Sequence, residues 1–345
     1  PPPPPPTNTF IASSAASDVY KRQTEKRAWM AENGLYRESD EHSSCGVGLV
    51  VAIDGKKSRK VVEDGINALK AVWHRGAVDA DGKSGDGCGL LLKLPEGFLR
   101  ELAGERGLHL GERFAVGMVF LHPEPERAGA ARLLLAEELE RDGLRPLGWR
   151  PVDVDPEACG PQAMKSLPRI EQLFVNAPDG LDPAEFERRL YLARRRCRKA
   201  IHQQDQYFYV ASLSCRVIAY KGLVLPSNLP LFYRDLQDSR LASALAVFHQ
   251  RFSTNTWPEW RLAQPFRYLA HNGELNSIQG NRNWAQARSY KFKSPHIRDM
   301  EDIRPWVSMT GSDSCSLDNM LEALVMGGMD LFRAMRLLIP PAWQN

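Results

Sequence analysis

The chain of 345 residues lacks the features that would place it in a membrane, on a nucleic acid or in an oxidising compartment. No apolar run reaches the roughly 18 residues that a spanning helix needs. The 45 basic and 42 acidic residues nearly cancel, and a net charge of +3 is too small to argue for nucleic acid. Six cysteines stand at 45, 88, 159, 197, 215 and 315, with no two closer than eighteen residues. That spacing excludes a CxxC zinc or redox centre and a clustered iron–sulfur set, so no metal site is expected. Thiols spread this way, in a chain without an apolar secretory segment, read as reduced thiols of a cytoplasmic protein. No internal repeat is present.

What is there is an ordinary globular composition, 43% hydrophobic, able to bury a substantial core. Residues 1–28 stand apart from it. Six prolines precede Ser/Ala-rich sequence, which predicts a disordered or artefactual leader; a plastid transit peptide is the alternative. Residues 29–44 are denser and more polar and read as a propeptide. The folded domain is expected over 45–345. The chain stops at Pro341-Ala342-Trp343-Gln344-Asn345 without a cap, which reads as truncation.

From Cys45 onward the pattern is regular. Gly46–Ile53 reads as a strand, Asp54-Gly55 as a turn, and Val62, Ile66, Leu69 and Trp73 mark a helix over 58–73. Leu90–Leu94, Phe114–Leu121 and Glu171–Asn176 read as strands, and 125–141 as a helix. Asp182-Pro183-Ala184-Glu185 has the form of a helix start. The helix after it carries Phe186, Leu190, Ala193, Cys197 and Ile201 on one face and seven basic residues between Arg188 and Lys199 on the other. That basic face is expected to be solvated, with a docking surface as the sharper reading. Tyr207–Ser214 and Val217–Tyr220 predict a hairpin. Leu241–Phe252 and Tyr268–His271 predict buried strands, and Ser312–Met326 a helix. Strands and helices without a βαβ rhythm predict a layered α+β domain.

The chemistry centres on Cys45, set between Ser44 and a glycine-spaced strand. Cleavage at Ser44–Cys45 would supply a thiol nucleophile and, in the same residue, an α-amine titrating at about 7.7–8 as base. Taken alone, a cysteine before Gly-x-Gly is more often a small buried strand residue. Arg251, in His249-Gln250-Arg251-Phe252-Ser253-Thr254-Asn255-Thr256, can hold a carboxylate with two parallel hydrogen bonds. Asn272 and Gly273 offer a side-chain amide and a closely approachable backbone N–H. Asp313 is either a capping carboxylate or a seat for a substrate ammonium. His271 and His74 are tempting bases that read better as loop-holding residues.

In order along the chain stand Cys45-Gly46-Val47-Gly48, His74-Arg75-Gly76, Gly85-Asp86-Gly87-Cys88-Gly89, Arg251-Phe252-Ser253-Thr254-Asn255-Thr256, Gln264-Pro265-Phe266, Ala270-His271-Asn272-Gly273-Glu274, Gly280-Asn281-Arg282-Asn283-Trp284 and Gly311-Ser312-Asp313-Ser314-Cys315-Ser316-Leu317-Asp318-Asn319. Together they resemble the class II glutamine amidotransferase domain of the glutamate synthase large subunit, over essentially all of 45–345. The resemblance implies a four-layer αββα sandwich, the N-terminal nucleophile hydrolase fold. It implies Cys45 as nucleophile and Asn272 with the Gly273 backbone as oxyanion hole. Arg251 and Thr254 would take the glutamine α-carboxylate, Asp313 with the Gly273–Glu274 region the α-amine, and Arg75 the closing loop. Two departures are Cys88 and Cys315, where the family more often has Ala, small-for-small changes expected in a core. A third is Ser43-Ser44, where an acidic-plus-small pair is commoner, which bears on leader removal.

The resemblance further implies L-glutamine as substrate, with 2-oxoglutarate accepting the ammonia only in a longer enzyme. There, further synthase domains would carry FMN and an iron–sulfur cluster, neither of them expected in this chain, and a small electron-transfer subunit is a further candidate partner. The electron donor is left open among NADPH, NADH and ferredoxin. Two rivals remain at this point. One is a stand-alone amidohydrolase of the same fold acting on another amide. The other is a non-catalytic binding module with an uncleaved leader, using the basic 188–199 face.

Overall fold

Apolar spacing and capping residues explain where the elements fall. The computed structural model describes residue 25, residues 28–29 and 31–34, and residues 46–201, 204–251 and 256–340. The chain divides into two units, Pro1–Ser44 and Cys45–Asn345. In the first, residues 28–29 and 31–33 are helical, so the expected leader–propeptide boundary falls at a helical pair; the expected Ser44–Cys45 boundary lies outside the described residues. The second unit holds the sheets.

It begins with β1 (Val47–Val51), a turn through Gly55, and helix α1 (Arg59–Ala71). Ser58 caps α1 by accepting from Val61 N at 3.3 Å. Val62 and Leu69 on its inner face are fully buried, each contributing about 1.5–3 kcal/mol. Gly65 lets α1 press against the sheet, since a Cβ there would lie 2.7 Å from the Ala246 methyl. Then come β2 (Ser84–Lys93), α2 (Glu96–Gly104), β3 (Phe114–Leu121), α3 (Pro125–Arg141), β4 (Arg145–Pro151) and β5 (Arg169–Asn176). Helix α4 (Pro183–Ile201) starts where Asp182 accepts from Ala184 N and Glu185 N at 2.9 and 3.1 Å. Strands β6 (Tyr209–Ser214), β7 (Val217–Val224) and β8 (Leu245–Gln250) follow, then α5 (Ile278–Ala287), α6 (Asp313–Met326) and α7 (Leu331–Leu338).

The strands form two antiparallel four-stranded sheets, ordered β1-β8-β2-β7 and β4-β5-β3-β6. One hydrophobic cluster joins a face of each. It gathers Leu90 and Leu92 of β2, Ile218 and Tyr220 of β7 and Phe248 of β8 with Val116, Met118 and Phe120 of β3 and Phe174 of β5, and α1 and α2 bury into it. The other face of the second sheet, at Ala115, Leu121, Leu173 and Val175, lies under α3 and α4. Cys88 and Cys315 are both buried in the core, as small-for-small residues can be.

Four expectations need correcting. Strands β6 and β7 are neighbours in the chain but pair with β3 and β2, in different sheets, rather than as a hairpin. The buried Glu187 explains the corner: its carboxylate accepts from Ser214 Oγ and Cys215 N at 2.8 and 2.7 Å, so the turn is held by α4 and not by a partner strand. Second, Tyr268–His271 is not a strand. Its backbone is satisfied by side chains: Asp318 accepts from Tyr268 N at 2.8 Å and Gln264 from His271 N at 2.9 Å. Third, β2 starts six residues before Leu90, at Ser84, so the glycine motif is itself strand. Fourth, the basic face of α4 is largely packed against neighbouring elements rather than solvated. The Arg194 side chain is 6% exposed and pairs with Glu322 of α6; that of Arg196 is 10% exposed and pairs with Glu138 and Asp142 of α3 and its C-cap. Arg188 donates to Met326 O, Arg195 to Ile303 O and Lys199 to Glu301 O. Most of these arginines fasten α4 to its neighbours, so the face is not the open surface on which a binding-module reading rested. Strand β4, not foreseen, holds Pro146 and Pro151 and is an edge strand, where a missing N–H costs nothing.

Candidate active site

The site is built where β1 begins and β8 ends. Gly46 enters β1 with its carbonyl accepting from Gln250 N at 2.5 Å. No side chain fits there, since a Cβ on Gly46 would lie 2.5 Å from Gln250 O. Gly76 lies equally close on the other side, because a Cβ there would fall 1.5 Å from the Gln250 amide nitrogen. The two glycines let the turn Trp73–Arg75 sit against the sheet, and Arg75 stands exposed on it.

Along the end of β8 the side chains alternate. His249 and Arg251, the latter one residue past the strand, lie two apart and both line a cavity of about 720 Å³. Arg75, Arg251, Asn272, Gly273, Glu274 and Asp313 all stand in its wall, together with His74, His271 and Ser314. Six of the eight residues expected at the site are therefore brought together by elements up to 238 positions apart (Arg75 to Asp313). The other two, Cys45 and Thr254, lie outside the described residues.

A hydrogen-bonded chain holds the wall in place. Gln264 grips the His271 peptide from both ends: its Oε1 accepts from His271 N at 2.9 Å and its Nε2 donates to His271 O at 3.0 Å. The His271 ring meets Ser314 Oγ through Nδ1 at 2.9 Å. Its Nε2 would be 2.7 Å from a Cβ on Gly273, which therefore has to be glycine for the turn to close over the ring. Ser312 caps α6 by accepting from Cys315 N at 3.1 Å, so Asp313 is not needed for that bond. Asp313 instead accepts from Leu275 N at 2.7 Å and Ser314 N at 2.6 Å, tying the 271–275 turn to the helix start. Arg282 of α5 donates to Gly311 O at 2.5 Å and Ser316 Oγ at 3.0 Å, fixing the turn that presents Asp313. Gln264, His249 and Arg282 were not singled out from the sequence. Gln264 and Arg282 lie inside motifs that carry the resemblance, and no periodicity marks them.

Charge in the cavity is mixed. Arg251 donates to Asp86 O at 3.2 Å and Thr256 Oγ1 at 2.7 Å. Burial pulls its guanidinium below the ordinary value, opposed by the carboxylates of Asp86, Glu259 and Asp313, and it stays a cation. His249 is different. Its Nε2 lies 3.1 Å from His271 O, which can only accept, so Nε2 carries the proton. Nδ1 is buried without a partner. Burial lowers its pKa to about 4, against the His271 carbonyl bond that would raise it, and Arg251 and His271 lower it further. His249 is thus a neutral strut under the 271–273 turn. Its folded pKa lies below the ordinary 6.5, so stability is complete above 6.5 and is lost as pH falls towards 4. Between pH 7.5 and pH 5 this group alone should cost about 2 kcal/mol of unfolding free energy. Urea unfolding of the unaltered chain and of His249→Gln at both values checks it. The loss should be smaller by that amount in the variant, and an equal loss would refute the assignment.

Among the described residues no three His, Cys, Asp or Glu side chains converge to hold a metal. The five described cysteines stand free and apart. No helix among the described residues is long and apolar enough to cross a membrane.

Two antiparallel sheets flanked by helices, with a polar cavity at the strand ends, form the αββα sandwich of the N-terminal nucleophile hydrolases. The profile of class II glutamine amidotransferases matches residues 45–345, and the chain belongs to that family. It is 44% identical over 311 residues to the glutamate synthase [NADPH] large chain of Azospirillum brasilense, covering 89% of this chain and 20% of that one. It is 40% identical over 312 residues to the corresponding chain of Bacillus subtilis (strain 168), covering 90% and 20%. Against the ferredoxin-dependent glutamate synthase 2 of a Synechocystis species the figures are 41% over 310 residues, covering 89% and 20%. The chain spans about a fifth of the length of the curated relatives it matches.

Proposed function

We propose that the cavity takes L-glutamine and that Cys45, freed as the first residue of the mature chain, attacks its side-chain amide. The observation that carries this reading is the convergence of Arg75, Arg251, Asn272, Gly273, Glu274 and Asp313 on one cavity beside Gly46. The described thiols favour it too. Burial pushes those of Cys159 and Cys215 up to about 12 and raises Cys88, Cys197 and Cys315, so none of the five is a nucleophile near neutral pH. A unit boundary between Ser44 and Cys45 agrees with removal of residues 1–44.

In this mechanism the α-amine of Cys45 takes the thiol proton and the sulfur adds to the amide carbon. The resulting oxyanion is met by the Asn272 side-chain N–H and the Gly273 backbone N–H. The α-ammonium returns its proton to the departing nitrogen, ammonia leaves, and water hydrolyses the glutamyl thioester. Arg251 with Thr254 binds the α-carboxylate, and Asp313 with the Gly273–Glu274 region the α-ammonium. Arg75 orders the turn that closes over the substrate. In a longer protein of the kind the relatives represent, the ammonia would pass to 2-oxoglutarate in synthase domains carrying FMN and an iron–sulfur cluster. Electrons would come from NADPH, NADH or ferredoxin, directly or through a small subunit. Free, unpaired thiols favour a cytoplasmic setting, with the plastid as the alternative where residues 1–28 act as a transit peptide.

The test compares glutamine with 4-carbamoylbutanoate, the same amide without the α-amino group, using a chain that begins at Cys45. Ammonia release should favour glutamine by roughly two orders of magnitude in kcat/KM, the worth of one charge-assisted hydrogen-bonded contact. Asp313→Ala should raise KM for glutamine about tenfold or more and narrow that preference. Equal turnover of both amides would mean that another amide is the substrate, and an unchanged KM would remove Asp313 from substrate binding.

A further inference from the structure

A second cavity, of about 260 Å³, lies against α6 one step beyond the glutamine site, at Cys315 and Asn319. It shares no lining residue with the first. Its wall is cationic: Arg194, Arg195 and Arg198 come from α4, and Arg261, Arg267 and Arg304 from the loops facing it. No acidic side chain lines it among the described residues. Four of these cations have carboxylate partners behind them. Arg194 and Arg267 share Glu322 at 2.5 and 3.2 Å, Arg261 meets Glu259 at 2.5 Å, and Arg304 meets Glu301 at 2.7 Å. The hydrogen bonds of Arg195 and Arg198 go only to main-chain carbonyls, those of Ile303, Pro305 and Phe208. The Nε atoms of Arg195 and Arg304 are buried with no hydrogen-bond partner.

Such a crowd is costly as it stands. Burial, with Arg261 beside it, lowers the Arg198 guanidinium to about 10, and burial with Arg267 pulls Arg194 down as well. Like charges in a partly enclosed, poorly solvated space repel more strongly than in water, and a buried N–H without an acceptor adds its desolvation cost. One kind of ligand relieves both: an anion with several acceptor oxygens, which guanidinium forks bind in pairs. The space is below the range usual for drug-sized ligands, so the ligand is small.

We propose that this cavity, formed between α4, α6 and the 304–309 segment, is a binding site for a small dianion bearing acceptor oxygens, of the phosphate or dicarboxylate class. It is distinct from the place where glutamine is read, and it touches the same helix whose N-terminus presents Asp313.

Isothermal titration of the full 345-residue chain tests it, first with inorganic phosphate and then with succinate, each at constant ionic strength set with potassium chloride. Saturable binding of at least one of them, with a matching rise in Tm, is expected. Arg195→Gln combined with Arg304→Gln should weaken it by about tenfold or more. Arg240→Gln, on an exposed arginine outside the cavity, should leave it unchanged. Phosphate alone binding assigns a tetrahedral oxyanion, and succinate alone a carboxylate pair; either supports the site. Saturable binding of neither anion to the unaltered chain overturns the proposal, whether or not the double variant folds. So does an affinity that the double substitution does not change.

Discussion

Cys45→Ser, in a chain that begins at residue 45, should lower ammonia release from glutamine by at least about three orders of magnitude and leave the far-ultraviolet spectrum and Tm unchanged. A thiol ordinarily titrates near 8.5, within reach of an α-amine ordinarily at about 7.7–8; an alcohol does not, so an amine cannot raise its nucleophilicity in the same way. A hydroxyl is smaller than a thiol and brings no clash, so β1, which starts at Val47, has no reason to move. Ammonia measured enzymatically under saturating glutamine reads the effect. A serine variant as active as the parent would remove Cys45 from the chemistry. A second arm keeps residues 1–44 attached by a blocked junction. There the base is locked in a peptide bond, and activity should fall as it does for serine.

Asn272→Ala should cost about two to three orders of magnitude in kcat, with KM moving by less than about threefold, because a donor aimed at a developing oxyanion acts in the transition state. The structure makes this substitution clean. The turn before it is held by Gln264 on both sides of the His271 peptide and by Ser314 on the His271 ring. The turn after it is held by Asp313 on Leu275 N. None of these bonds uses the Asn272 side chain, so truncating it removes a donor without releasing the loop. A change confined to KM would reassign Asn272 to ground-state binding, and an unchanged kcat would place the oxyanion elsewhere. Gln264→Ala provides the contrast: it should lower kcat as well, but with a lower Tm, since it frees the part-buried N–H of His271 and leaves its C=O to His249 alone.

Much of the fold was legible from local pattern. The bounds read for Phe114–Leu121 and 125–141 coincide with β3 and α3, since continuous apolar strand and Pro-started helix are encoded within the segment itself. Asp182 caps its helix where the sequence says it should, whereas Ser58 and Ser312, read as first helical residues, turn out to be the caps of theirs. The candidate site was legible through its motifs, and the cavity collects Arg75, Arg251, Asn272, Gly273, Glu274 and Asp313. What failed was each inference that needed to know the neighbour. Alternation in β6 and β7 says that each is a strand, but Glu187, twenty-seven residues before Ser214, decides that they join different sheets. A row of arginines on α4 reads as solvated because charge alone is cheapest in water. Glu138, Glu322 and the carbonyls of 303 and 305 make burial cheaper here.

The sequence by itself therefore determined the kind of protein: strand and helix periods, the caps, the glycines at 46, 76 and 273, and a set of motifs shared with class II glutamine amidotransferases. Only the tertiary structure decided which sheet each strand joins, that Tyr268–His271 is held by Asp318 and Gln264 instead of a ladder, and that a second, cationic cavity lies behind the first. The reason is physical. Period and capping are properties of neighbours within about four residues along the chain, whereas a buried charge or an unpaired peptide is settled by partners that only folding brings within 3 Å or so.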